Sequence, residues 1–166
     1  YSALVLGGEG FAAISTVGGD SVGGQAILST QGTITADTVT LTSSAVGGNS
    51  GLANGTLVRN GGSATGGSAT FAATNAVSTF GSLLIDASAI GGQGGAPSGS
   101  SGNAVGGNIV VTGISNAVTT VTGRTDLIAV AGSTGGFGAA IGERTGGRVE
   151  LLSNPFSRFD FATLSI

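Results

Sequence analysis

Any acid–base chemistry in this 166-residue chain would have to rest on eight carboxylates, because His, Cys and Lys are all absent. They are Glu9, Asp20, Asp37, Asp86, Asp126, Glu143, Glu150 and Asp160. Glycosidic bond cleavage needs two carboxyl groups that converge on one bond. Asp37, Asp86 and Asp126 fall ten, five and nine residues before the Gly-Gly pairs at 47–48, 91–92 and 135–136, so they do not form one column. They are expected to be solvated corner residues. Without His or Cys the usual nucleophile–base pairs are missing too, and an unactivated Ser is only a polar spacer. The chain is expected not to be an enzyme.

Cofactor motifs fare no better. Gly8, Gly10 and Ala13 after the apolar residues 4–6 match the dinucleotide pattern G-x-G-x-x-A. That motif needs a following helix and an acid about 20 positions on. Gly18-Gly19 and Gly23-Gly24 break any such helix, and no acid stands near residue 30. With 34 glycines in the chain, a match of this kind is expected by chance. A phosphate P-loop is impossible without Lys. Gly7-Gly8-Glu9-Gly10 begins like a calcium-binding nonapeptide repeat, but Ala12 replaces the required Asp, and Gly91 to Gly94 lead only to Ala96. No cofactor and no metal site are expected. The net charge of −3 leaves no basic footprint for nucleic acid or an anionic membrane. No apolar run approaches the roughly 20 residues of a membrane span.

What the sequence does carry is a repeat. Gly-Gly recurs at 23–24, 66–67, 106–107 and 146–147, at spacings of 43, 40 and 40 residues. A second pair closes each segment at 47–48, 91–92 and 135–136, spaced by 44 and 44, with an orphan copy at 7–8. A fixed period of this length marks a solenoid or repeat array. Charged residues make up only 8% against roughly 25% in an ordinary domain, while β-branched residues abound, which is the reverse of a disordered composition.

Aligned copies give columns. Ala26, Ala69, Ile109 and Val149 form one, and Leu28, Phe71, Val111 and Leu151 another; both are expected to point inward. Gln25, Ser68, Asn108 and Arg148 point outward. Before the closing pair the inward columns are Val39, Leu83 and Leu127, then Leu41, Ile85 and Ala129, with Thr38, Ser82 and Asp126 outward. Between them Gln31-Gly32 reads as a turn, and Ile34 matches Val77. Thr38, Thr40 and Thr42 are not repeated in the next copies, so no continuous Thr ladder is expected on that face. Asn54-Gly55-Thr56 fits the glycosylation sequon.

Three short strands per repeat predict an all-β chain, a parallel β-helix (β-solenoid) of about three to four repeats of 40–44 residues with Gly-rich loops. Two coils per repeat, with residues 51–58 as a further strand, is the alternative, and a Gly-rich β-sandwich a third. Residues 1–152 are assigned to the repeats. Residues 153–166, with Phe156, Phe159 and Phe161, are set apart as a cap or a strand donated to a neighbour. The Gly-Gly brackets are expected to be corners, so Val at Gly67 or Gly107 should disrupt stacking more than at Gly99 or Gly102.

Residues 66–72 and 83–92 resemble the repeats of Gly/Ser/Thr-rich β-strand-repeat bacterial surface adhesins, allied to autotransporter passengers and filamentous-haemagglutinin-type exoproteins. The resemblance covers roughly residues 23–152. It implies a right-handed parallel β-helix, secretion to the bacterial surface and a structural or adhesive role toward a glycan or host-surface ligand, with no catalytic residues to carry over. Tyr1 opens without Met or a signal peptide, so the chain is expected to be processed or part of something longer. The second expectation is an extracellular filament subunit, stacked end to end through exposed strand edges.

Overall fold

A computed structural model describes residues 3–4, 17–51, 58–96, 98–135 and 140–166. The pairs at 7–8, the residues 5–16, the sequon and most of the alternative strand 51–58 lie outside them. Every regular element described is a strand, and every strand pairing is parallel.

The largest sheet holds β1 (Ala3–Leu4), β3 (Gln25–Thr42), β6 (Ser68–Asp86), β9 (Asn108–Ile114), β10 (Val118–Ile128), β13 (Arg148–Ser153) and β14 (Arg158–Ser165). Segments one repeat apart lie side by side: Gln25 beside Ser68, Ser68 beside Asn108, Asn108 beside Arg148. β3 and β6, at 18 and 19 residues, are too long to run straight in so small a protein. They bend instead. Gly32 takes φ 74°, Asn75 φ 47°, and Ser115 and Asn116 φ 56° and 63°, so the left-handed corner sits at the same level in each copy. Gly and Asn are the residues that reach this region at least cost, which is why Gln31-Gly32 reads as a turn in the sequence.

The curled strand returns on itself. Gly67 N–H donates to the Ser43 carbonyl at 2.7 Å, Gly107 to Ala87 and Gly147 to Ala129 at the same distance. The end of one copy's long segment is thereby bonded to the start of the next copy's. The interior so enclosed is apolar, with Phe71, Phe80, Leu41, Leu83, Ile85, Ile109, Val111, Val121 and Leu127 all fully buried. Phe71 and Phe80 meet edge to face, centroids 5.6 Å apart at 74°, the geometry the ring quadrupoles favour. Ser78 and Thr30 bury their hydroxyls and bond each other at 3.2 Å.

Two smaller sheets continue beyond this closure. One holds β2 (Ser21–Val22), β5 (Ala64–Thr65), β8 (Ala104–Val105) and β12 (Arg144–Thr145). The other holds β4 (Ala45–Val46), β7 (Ala89–Gly91) and β11 (Ala131–Ser133).

The first inward column is as expected over three copies, with Ala26, Ala69 and Ile109 buried and Val149 half-buried at the end. Two alignments need correction. Ile34 pairs with Ser78, not Val77; Val77 stands opposite Thr33 and is 51% exposed. In the third copy, Leu83 pairs with Thr125 and Ile85 with Leu127, so the sequence alignment there is displaced by two residues. The reason is the closing anchor: Gly91 lies beside Ser133, and Gly135 falls two residues past that position. The Phe-rich tail joins the same sheet. Phe159 pairs with Thr119 and Phe161 with Val121, and the two rings stack at 13°.

With no native cysteine, the register is open to a direct test. Leu84→Cys with Asp126→Cys places two thiols on directly paired positions, within the Cα separation a disulfide accepts, about 4.4–6.8 Å. That pair is expected to oxidise readily under air. Ser82→Cys with Asp126→Cys, the pair the sequence alignment would favour, should stay reduced by thiol titration.

Candidate functional site

The carboxylates do not gather. Asp126 pairs with Arg124 at 2.7 Å, Asp160 with Arg158 at 2.5 Å, and Glu150 with Arg148, each two residues away on its own strand. Asp86 accepts from the Ser88 N–H at 2.8 Å, and Asp20 from the Ser63 N–H at 2.7 Å. Asp37 stands exposed at a bend and Glu143 exposed on a loop. Glu9 lies outside the described residues. Among the described residues no group of three metal-ligating side chains comes together, and no helix is long and apolar enough to cross a membrane. Asp86, Asp126, Glu150 and Asp160 bond within two residues of themselves, whereas Asp20 reaches a backbone N–H of the next copy.

The structure instead builds a narrow arm from the two small sheets. Their facing positions hold Ala45 and Ala89 on one side and Ala64 and Ala104 on the other, with Ala131 packed against them. A methyl is all the space allows. At the level of Gly19, Gly48, Gly62, Gly92 and Gly102 even that is gone, and the two sides bond backbone to backbone, before Arg59 and Ser101 are buried again beyond it. Gly48 N–H donates to Gly19, Gly62 to Gly48, Gly92 to Gly62 and Gly102 to Gly92, at 2.8–2.9 Å. The bonds shuttle from one side of the arm to the other while climbing from copy to copy.

A Cβ added at Gly18, Gly47, Gly62, Gly92 or Gly102 would fall inside a neighbouring carbonyl. These glycines are there for close approach rather than for flexibility. Sequence reasoning recognised the pairs at 47–48 and 91–92 but missed their partners. The signal was present, since Gly19, Gly62, Gly102 and Gly142 recur at 43, 40 and 40 residues, the same spacing as the bracket pairs. Gly99 and Gly102, expected to tolerate substitution, are in fact as tightly enclosed as Gly67 and Gly107. That expectation is overturned by the arm, where the loop glycines meet the backbone of the copy beside them.

Side-chain amides and carboxylates hold the arm's corners. Asn49, Asn60 and Asn103 accept the N–H groups of Gln93, Ser100 and Glu143 at 2.7, 3.1 and 2.9 Å, and Asp20 does the same for Ser63. Each bond reaches forward by one copy, so the short polar residue next to glycine works as a stitch between copies.

The chain matches no family model, and comparisons with characterised proteins and with solved structures return no similar one. Function must be read from the surface itself.

Several exposed columns of that surface are uncharged. On one flank of the arm Val22, Thr65, Val105 and Thr145 form an outward column; Val22 is 66% and Val105 41% exposed. On the other flank Val46 and Ile90 stand side by side, both exposed. On the large sheet Thr35, Thr79 and Thr120 make a three-residue Thr column beside Thr33, Val77 and Val118. This is not the run at Thr38 to Thr42, whose partners Ser82, Leu84 and Asp86 break it as expected.

Gly62→Ala is expected to cost about 3 kcal/mol or more, because backbone must move to admit the methyl. Gly146→Ala, with open space around its Cβ position, should change stability by less than about 1 kcal/mol. Urea denaturation followed by far-UV circular dichroism separates the two.

Proposed function

We propose that this chain is a non-catalytic segment of an extracellular adhesin of the bacterial cell surface, folded as a parallel β-solenoid of three to four coils. The observation that carries the reading is the closure at Gly67, Gly107 and Gly147, where each long strand returns to hydrogen-bond the start of the next copy. That closure supports one coil per repeat with an arm attached, over two coils. The arm corresponds to the loop side, where the spacing between brackets varies in sequence, and its flanks offer the exposed β-branched columns that a ligand would cover.

A glycan or a protein of the host or neighbouring cell surface is the ligand class that fits a flat, uncharged, Thr- and Val-rich face without a catalytic group. Among the described residues no group of three acids gathers, and Asp126, Glu150 and Asp160 are each held by an Arg of the same strand, which lends polysaccharide hydrolysis no support. The filament reading draws less support. A head-to-tail contact would have to cover the solvated Arg–acid pairs of β13 and β14.

The test is binding of the purified chain to a glycan array and to immobilised cell-surface proteins, with reducing-end release measured on the same glycans. Binding is expected without release of reducing ends. Val22→Asp with Val105→Asp, on the arm flank, should weaken binding at least tenfold and leave the far-UV spectrum unchanged. Binding that survives this pair would remove the arm flank from the reading, and turnover of any glycan would sink the non-catalytic role.

A further inference from the structure

Charge is distributed along the stack in a way that adhesion does not require. Residues 143–160 hold Glu143, Arg144, Arg148, Glu150, Arg158 and Asp160, six of the thirteen charges of the whole chain. Five of these occupy register positions that are uncharged in every described earlier copy. Arg148 follows Gln25, Ser68 and Asn108; Glu150 follows Ile27, Thr70 and Val110. Arg158 follows Thr33, Val77 and Val118, and Asp160 follows Thr35, Thr79 and Thr120. Arg144 is the most telling. It continues the column of Ser21, Ala64 and Ala104, whose side chains are buried between the two sheets of the arm.

We propose that the fourth copy is a guard layer that stops a further repeat, brought by a second molecule of this chain, from stacking on the outer edge of β12, β13 and β14. Among the described residues that edge pairs with nothing, so its N–H and C=O groups are a template for another parallel strand. Closing a new layer over Arg144 would drive a guanidinium into a gap that elsewhere admits only a methyl or a hydroxymethyl, with no acid in the column to receive it. An unpaired charge buried in this way is strongly unfavourable. On the outward face of β13 and β14, solvated Arg–acid pairs stand where the earlier copies carry uncharged side chains; β10 already holds one such pair, Arg124–Asp126, and the fourth copy holds two. An inward-pointing charge combined with charged edge side chains is how natural sheets blunt an exposed edge. The inference rests on strand register alone and stands whether or not the chain is an adhesin.

The experiment converts the fourth copy to the chemistry of the third: Arg144→Ala, Arg148→Asn, Glu150→Val, Arg158→Val and Asp160→Thr in one chain. Mass is read by light scattering and shape by electron microscopy, against the unaltered chain at equal concentration. The unaltered chain should run at its single-chain mass of 15.6 kDa. The five-fold variant should shift to multiples of that mass and show rods lengthened end to end. Arg144→Ala alone should give a partial shift, and it answers the question if the five-fold variant loses its strand signal. Self-stacking of the unaltered chain, or variants that keep their circular dichroism spectrum and remain at single-chain mass, would overturn the guard. The readout is mass and shape rather than glycan binding, which keeps this test separate from the adhesin reading.

Discussion

Hydrogen bonding between segments about 40 residues apart is the constraint from which the rest of the structure follows. In a parallel pair each residue stands next to its counterpart in the neighbouring copy, so the chain is obliged to repeat its chemistry column by column. Ala26 and Ala69 are buried because they share a column, and Ile109 can follow them only because the enclosed interior has room there. Phe71 and Phe80 fill the middle of that interior from two sides of one bent strand. The neighbouring copies carry Leu28 and Val111, then Ala36 and Val121, at the same levels. Large and small residues thus alternate along the stack as well as across it, which is how a layered core avoids both voids and overlap.

The same constraint explains the glycines, which are costly to order and would otherwise be a poor choice for a stable sheet. Where the long strand closes and where the arm narrows, two backbones approach with nothing between them. Every residue at those points is pressed by its own copy across the arm and by the next copy along it. Only glycine satisfies both, and once one copy needs it, all copies do. The arm therefore trades side-chain burial for direct backbone hydrogen bonds, stitched at its corners by Asp20, Asn49, Asn60 and Asn103. Its thinness leaves most of its residues on a flank, which turns a packing solution into a surface.

These features were unequally legible in the sequence. The all-β class and the parallel repeat could be read from the Gly-Gly spacing, and the inward columns from period-two alternation. The third copy slipped by two residues because Gly135 was taken as the counterpart of Gly91, whereas the strand carries two single-residue register shifts, one near Ser115 and one near Thr122. A slip of two preserves which face a side chain points to, so Leu127 remained correctly inward while its partner was wrong. The one-residue error at Ile34 and Val77 has the opposite effect, matching a half-buried Ile with an exposed Val. The loops outside the brackets are legible as an arm of varying length, but the pairing within it is not. Its strands are two or three residues long, too short for any alternation to register, and its core is Ala and Gly, which no hydrophobic pattern marks. The Phe-rich tail hid its place in the sheet for a related reason, since Arg158 and Asp160 stand where earlier copies have Thr and Val.

That last disguise carries an argument of its own. A column that holds Gln, Ser and Asn and then Arg, beside one that holds Ile, Thr and Val and then Glu, changes character in the fourth copy at both positions. A repeat that rewards stacking must somewhere contain a layer that does not, or each folded molecule would template the next. The first three copies carry β-branched pairs that reinforce one another along the stack. The fourth keeps their inward apolar residues, Val149, Phe159 and Phe161, and so remains bonded to the copy before it while presenting charge to whatever comes after. Apolar side chains on one face and charged ones on the other arise in the same strands from the alternation of side chains, and Arg144, exposed at the register position of buried Ala64 and Ala104, extends that division into the arm.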